Sequence, residues 1–254
     1  MSNHISKCCS AIAGATIIGI FSAGAATQIT IERNQSPAQA ELPLYYQFGT
    51  IPGISGTDLA NGIAPLTIGI PGPTSGLATK LTDGVGAAGV DDPGNNFSFA
   101  DIASATPKII SLDLGAVKAI SQVNTYSWHH GNGLRAPQSY SLYVSTGAAI
   151  GFDPGNFSSP GWTLLTTVNS TLPGGGAANA GQQGVSISDS TGLLGNYRFV
   201  GLDVHAPFAP TATFYSEIDV VAVPEPAACV ITVLGLMGAG FFRGRNANFF
   251  VRRQ

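Results

Sequence analysis

The sequence predicts an all-β protein, a jelly-roll β-sandwich, and three observations carry that reading. Apolar and polar residues alternate with period two at several separate places, turn-forming clusters divide those places, and no amphipathic helix of ten residues can be drawn in the interior. The 254 residues are 44% hydrophobic but only 10% charged, with 33 Gly and 16 Pro. Glycine and proline therefore take over the turn-making and solubilising work that charge does in most chains, whose charged share is about 25%. An aromatic share of 9% with so little charge excludes a disordered chain. The scarcity of Glu, Lys and Arg excludes coiled coils and helical repeats.

The alternation is plainest at Ile110, Leu112 and Leu114 against Ser111 and Asp113. It recurs at Tyr140, Leu142 and Val144 against Ser141 and Tyr143, and at Val200, Leu202 and Val204 against Gly201 and Asp203. Each set reads as a strand with one buried face. Residues 121–126, 162–168, 185–188 and 214–221 are further strand candidates, divided by Gly131-Asn132-Gly133, Asp153-Pro154-Gly155 and Pro173-Gly174-Gly175-Gly176. Upstream, residues 44–48 read as a first strand, and residues 50–76 as a Gly/Pro-rich loop.

The two ends read as address labels. Residues 1–26 have a short region with one basic residue, Lys7, then an apolar run that closes on Ala23-Gly24-Ala25-Ala26. This is the pattern of a secretory signal helix cut near Ala25 or Ala26, the alternative being an uncleaved anchor. At the other end Val223-Pro224-Glu225-Pro226 precedes an apolar stretch, residues 227–242, followed by Arg243, Arg245, Arg252 and Arg253. At about 1.5 Å per residue that stretch is about 24 Å long, enough for a transmembrane helix in a thin or locally deformed bilayer. Arginines only beyond the span place the C-terminus in the cytoplasm and the preceding domain across the inner membrane. The alternative is a C-terminal core helix, which would not finish in arginines.

The tail of residues 223–254 closely resembles the PEP-CTERM sorting signal of Gram-negative, often biofilm-forming, bacteria. What the resemblance implies is recognition by an exosortase-type membrane protease that cuts near the Pro-Glu-Pro and leaves the protein at the cell surface. One departure is the separation of the two arginine pairs by residues 246–251.

Between the labels, residues 27–222 hold six basic and thirteen acidic side chains, a net of 6 − 13 = −7. An acidic exterior argues against nucleic acid as a partner. Cys8, Cys9 and Cys229 all fall in the labels, so the middle has no disulfide and depends on its core or a bound ion. Residues 78–222 resemble a discoidin, or coagulation-factor type C, domain, the galactose-binding-like jelly roll. The pieces, in order, are Leu81-Thr82-Asp83-Gly84, the 110–115 segment Ile-Ser-Leu-Asp-Leu-Gly, residues 120–126, residues 140–145, Gly161-Trp162-Thr163-Leu164-Leu165, Tyr197-Arg198-Phe199-Val200 and Ser216-Glu217-Ile218. Residues 27–77 belong to that sandwich or precede it.

The resemblance implies a structural Ca²⁺ held by Asp83 and Glu217 with backbone carbonyls, the oxygen-rich shell a hard cation needs. The chain lacks the Thr-x-Trp that usually follows the Asp-Gly, with Asp91 and Asp92 as possible substitutes. The alternative reading has Asp83 capping a turn with Gly84 and Glu217 as a solvated strand residue. A second candidate site is the stretch Trp128, His129, His130, Asn132 and Arg135, which brings together an aromatic ring, two imidazoles, an amide and a guanidinium. That is an inventory for a sugar, with ring faces against C–H groups and planar donors to hydroxyls. The resemblance places a His, an Asn and an Arg of sugar-binding modules in loops at this end. Trp128 reads equally as a core plug, and successive histidines on an extended chain point to opposite sides.

Catalytic patterns are missing. There is no Gly-x-Ser-x-Gly elbow, no His-Glu-x-x-His and no Cys-x-x-Cys, and His205 reads as a strand-end residue. The expectation is an exported, surface-sorted protein that binds extracellular polysaccharide or matrix polymer without turnover. The competing classes are a purely structural surface or biofilm protein and a glycan hydrolase.

Overall fold

The computed structural model describes residues 26–34, 46–70, 76–87, 92, 94–99, 107–129, 135–173, 181–205 and 213–224. The expected signal helix, the expected transmembrane helix and Glu225, Pro226, Arg243 and Arg245 of the sorting signal lie outside these residues, apart from Ala26. Val223 and Pro224 close the described chain. Among the described residues no helix is long and apolar enough to cross a membrane.

Among the described residues ten strands carry the fold: β1 (Thr27–Asn34), β2 (Leu66–Ile68), β3 (Phe97–Phe99), β4 (Ile109–His129), β5 (Ser139–Ser145), β6 (Thr163–Asn169), β7 (Gly181–Asp189), β8 (Gly195–Val204), β9 (Thr213–Tyr215) and β10 (Glu217–Ala222). One 3₁₀ turn, Ala78–Leu81, precedes the Asp83-Gly84 pair. The alternating segments of the sequence all become strands. Two expected strands, at 110–114 and 121–126, are one continuous strand of 21 residues, β4. An irregularity between Asp113 and Lys118 interrupts its ladder with β8, where Asp113 turns the chain by accepting the Gly115 N–H at 2.8 Å.

This strand is the spine. Its first part pairs with β8 and β2, and its second part pairs with β7 and β10. Hydrogen bonding runs β1-β7-β4-β8-β5-β6, all pairs antiparallel, and β3 pairs with β9 in a separate ribbon. The two parts of the sheet share one core. Ile110, Leu112 and Leu114 from the first part meet Ile120, Val123, Val185, Ile187, Ile218 and Val220 from the second. The expected strand at 214–221 breaks at Ser216 into β9 and β10, which serve the two different sheets.

The N-terminal region departs from expectation. The first strand among the described residues is β1, which pairs with β7, and of the expected strand at 44–48 the described residues 46–48 form none: Tyr46 is a turn residue with φ 55°, while residues 44 and 45 lie outside the described residues. Tyr46, Phe48, Ile51 and Ile54 instead build a second apolar cluster with Tyr126, Trp128 and Ala87. Tyr126 and Trp128 project from the face of β4 opposite to Val123, so this segment is a cover on the outer side of the sheet. The reason is packing: with few charges to face water, the outer face had to be roofed.

The β8–β5 part of the same sheet is roofed in the same way. Phe152, Phe157 and Trp162, from the connection between β5 and β6, lie over Tyr143 and Phe199, with Tyr143 and Phe157 stacked at 4.5 Å. Glycine makes both roofs possible. A Cβ on Gly201 would lie 2.5 Å from Phe157, and one on Gly184 would lie 2.8 Å from Phe48. Each ring rests where a side chain would otherwise stand. Gly201→Ala is therefore expected to destabilise the protein by about 1–3 kcal/mol, read as a lowered midpoint in thermal or urea unfolding. An unchanged midpoint would mean that the Phe157 ring does not rest on this strand.

Candidate functional site

At one end of the sandwich the end of β4, the approach to β5 and the start of β9 converge. The strand β4 runs through His129, so Trp128 and His129 are strand residues and not loop residues as the sequence predicts. Trp128 is 4% exposed and packs edge-on to Tyr46 at 6.3 Å, inside the second apolar cluster. Its ring is a floor of the fold. His129, the next residue, turns to the other side and sets its ring 5.1 Å from that of Phe214. His130 and Asn132 lie outside the described residues.

Arg135 is exposed, and its guanidinium carbon stands 5.4 Å from the centroid of the same Phe214 ring, a cation–π arrangement. The Phe214 N–H donates to the Arg135 carbonyl at 3.1 Å, which fixes the two backbones. Below them a buried polar network holds the chain between β4 and β5. Ser127 Oγ donates to the Ala136 carbonyl at 2.6 Å, the Gln138 N–H donates to Ser170 Oγ at 2.7 Å, and Gln138 Nε2 donates to Ser127 Oγ at 3.1 Å. Thr125 bonds Gln138 Oε1, and Ser170 Oγ donates to Gln183 Oε1 at 2.7 Å. Satisfied buried polar groups of this kind permit one geometry, so Arg135 stands on a rigid base. Phe214, the residue that joins His129 to Arg135, is read from the sequence only as a strand residue.

The expected ion site is a separate region. Glu217 and Asp219 lie two apart on β10 and face outward, since Ile218 and Val220 face the core. Glu217 is fully buried, not solvated, and among the described residues neither of its carboxylate oxygens has a partner of good hydrogen-bond geometry. Burial, then the charge of Asp219, pushes its pKa up to about 9, and the Gly84 N–H and the charge of Asp83 also act on it. The Asp83-Gly84 turn therefore does sit beside Glu217. Asp83 itself is engaged: Oδ2 accepts from Lys80 Nζ at 2.7 Å and Oδ1 from the Val85 N–H at 3.1 Å. The last of these is the turn cap of the alternative reading, and it leaves a lone pair on each oxygen.

Asp219 is likewise pushed up, to about 7, by burial and the charge of Asp58, and Asp58 is raised by burial. Among the described residues no three His, Cys, Asp or Glu side chains form an ion-holding group. A cation here would draw on backbone carbonyls and water as well as Glu217 and Asp83, the ligand mixture that Ca²⁺ accepts. The orphaned Glu217 oxygens fit that role. Asp92 caps its own turn, with Oδ1 accepting the Gly94 N–H at 3.0 Å, and bonds Asn95 Nδ2 at 2.8 Å; Asp91 lies outside the described residues. His205 ends β8, its Nε2 3.2 Å from Ser141 Oγ in a cross-strand polar ladder with Thr167.

No family model and no curated protein matches the chain. Solved structures similar to it include three carbohydrate-binding modules. One is chitosan-binding module 2 of a chitosanase/glucanase from Paenibacillus sp. IK-5, in complex with chitotriose, at 21% identity over 65% of this chain and 100% of that one, TM-score 0.42. Another is the lectin domain of Lectinolysin with Lewis B antigen, at 14% identity over 66% and 98%, TM-score 0.42. The third is the CBM32 of AlyQ with 4,5-unsaturated mannuronic acid, at 17% identity over 63% and 95%, TM-score 0.40. The sandwich assignment itself stands on strand order and register.

Proposed function

We propose that the protein is an exported, surface-sorted bacterial protein whose sandwich binds extracellular polysaccharide or matrix polymer without catalysis. The observation that carries the binding reading is the exposed Arg135 guanidinium, fixed over Phe214 beside the His129 ring at the end of a rigid sandwich. A planar multiple donor next to ring surfaces matches the alternation of hydroxyl and C–H that a sugar presents. His130 and Asn132, within the same connection, would supply further polar contacts, and Trp128 anchors the end of β4 in the second apolar cluster. Shallow recognition of this kind is weak per site, and attachment of many copies to one surface multiplies it.

Export rests on the signal-like residues 1–26. Surface sorting rests on Val223-Pro224-Glu225-Pro226, the apolar stretch 227–242 and the arginines Arg243 and Arg245, with an exosortase-type protease as partner and the inner membrane as a transient anchor. A structural Ca²⁺ is part of the same reading. Glu217 would ligate it with Asp83 and neighbouring carbonyls, and bound there it would neutralise a buried carboxylate and tie the 81–85 turn to β10.

Three outcomes test these parts. On an array of bacterial polysaccharides and oligosaccharides the full chain should retain at least one glycan, and Arg135→Ala should lose it at unchanged melting temperature. Retention by the variant, or no glycan at all, would leave a structural surface protein as the better reading. Chelator should lower the melting temperature by the equivalent of about 2–3 kcal/mol per occupied site relative to Ca²⁺ at about 100 times Kd, and Glu217→Gln should remove the share of that difference that belongs to its own site. Protein recovered from the outer surface should lack the peptide that follows the Pro-Glu-Pro by mass spectrometry; an intact chain in the cytosol would refute the sorting assignment.

A further inference from the structure

Beneath the roof formed by residues 52–59 lies a cavity of about 340 Å³, open to the surface and bordered by Ser55, Thr57, Asp58, Asn124 and Asp219. Asn124 and Asp219 face each other across the β4–β10 ladder and project outward from it. Asn124 is fully buried, and among the described residues neither its Oδ1 nor its Nδ2 has a partner of good hydrogen-bond geometry; the nearby Tyr126 hydroxyl, which also acts on Asp219, donates instead to the Pro52 carbonyl at 2.7 Å. Asp219 is 1% exposed and its Oδ1 has no such partner; Asp58 Oδ2 has none either. Among the described residues no Lys, Arg or His borders the cavity.

The other oxygen of each carboxylate is pinned by backbone. Asp58 Oδ1 accepts from the Ala60 and Val220 N–H groups at 2.7 and 2.9 Å, and Asp219 Oδ2 accepts from the Ser55 N–H at 3.0 Å. These bonds fix both carboxylates while leaving one oxygen of each without a partner in a cavity that holds no positive side chain. A buried, unpartnered amide and two such oxygens are costly unless a ligand completes them.

We propose that this cavity is a divalent-cation site, occupied by a hard ion such as Ca²⁺ ligated by Asp58 Oδ2, Asp219 Oδ1 and Asn124 Oδ1. Three protein oxygens of this kind suit a hard cation, and the cavity has room for the waters that complete six to eight ligands. The site is separate from Glu217 and Asp83, since its ligands come from the 52–59 roof, β4 and the next outward position of β10. It is also independent of the glycan reading. Its effect is to clamp the roof onto the sheet, because Asp58 belongs to the roof while Asn124 and Asp219 belong to the strands.

The test is Ca²⁺ stoichiometry by equilibrium dialysis of the chelator-stripped full chain, with Ca²⁺ itself as the probe. Asp219→Asn and Asn124→Ala should each bind one ion fewer than the unmodified chain, whereas Glu217→Gln should keep the ion that these two variants lose. Asn124→Asp guards against a variant that merely misfolds. It adds a charged ligand and should tighten Ca²⁺ several-fold at this site, with a larger rise in melting temperature on adding Ca²⁺. Equal stoichiometry in all variants, or weaker Ca²⁺ binding in Asn124→Asp, overturns the proposal.

Discussion

A single strand shared by both layers governs the architecture. Because β4 is covalently continuous from Ile109 to His129, the ladder it makes with β8 and β2 sets the register of the ladder it makes with β7 and β10. A slip of one residue in either part would turn its apolar set outward. The turn between Asp113 and Lys118 interrupts the ladder with β8, which resumes at Lys118, and a second register shift, in the ladder with β10, lies opposite residues 120–122. The Asp113 carboxylate serves the first of these twice. It accepts the Gly115 amide, and it holds Arg198 in a two-pronged pair at 2.7 Å, which keeps its pKa below the ordinary carboxylate value.

A second constraint follows from composition. With so few charged residues, neither outer sheet face could be left to water, and each is covered by aromatic side chains lying on a glycine: Phe48 on Gly184, Phe157 on Gly201. Covering the β10 side has an electrostatic consequence. The outward positions Glu217 and Asp219 would be ordinary solvated carboxylates on a bare sheet, but under the roof they lose water and their pKa values rise. The same segment that stabilises the sheet by apolar burial therefore creates the unpartnered oxygens that invite a cation.

Much of this fold could be read directly from residue order. Period-two alternation located β4, β5 and β8 because an inward face of Ile, Leu and Val is required whatever covers the outward one. The same rule failed at residues 44–48, where Tyr46 and Phe48 have the spacing of a strand but serve as a lid. Alternation records burial and not pairing, so a lid and a strand can share a pattern. It missed β1, whose Ile29 and Ile31 sit in a short edge strand with only one neighbour. At the binding end, the inventory Trp128 to Arg135 was visible as residue types, yet their division between floor and rim was not. That division depends on where β4 ends, and pairing with β7 carries it on to His129. Phe214 and Arg135 are 79 residues apart, a separation that no local pattern bridges.

By itself, the sequence determined that this is a charge-poor β protein whose residues 27–222 hold no cysteine, because hydrophobic period, turn residues and charge are local properties written in order along the chain. Tertiary structure decided which polar groups are special. Asp219, Asp58 and Asn124 are not singled out by any sequence pattern, and with Glu217 they acquire their chemistry only when a distant segment folds over them and removes their water. Desolvation is a property of what lies above a residue in space, and the sequence of its neighbours does not encode it.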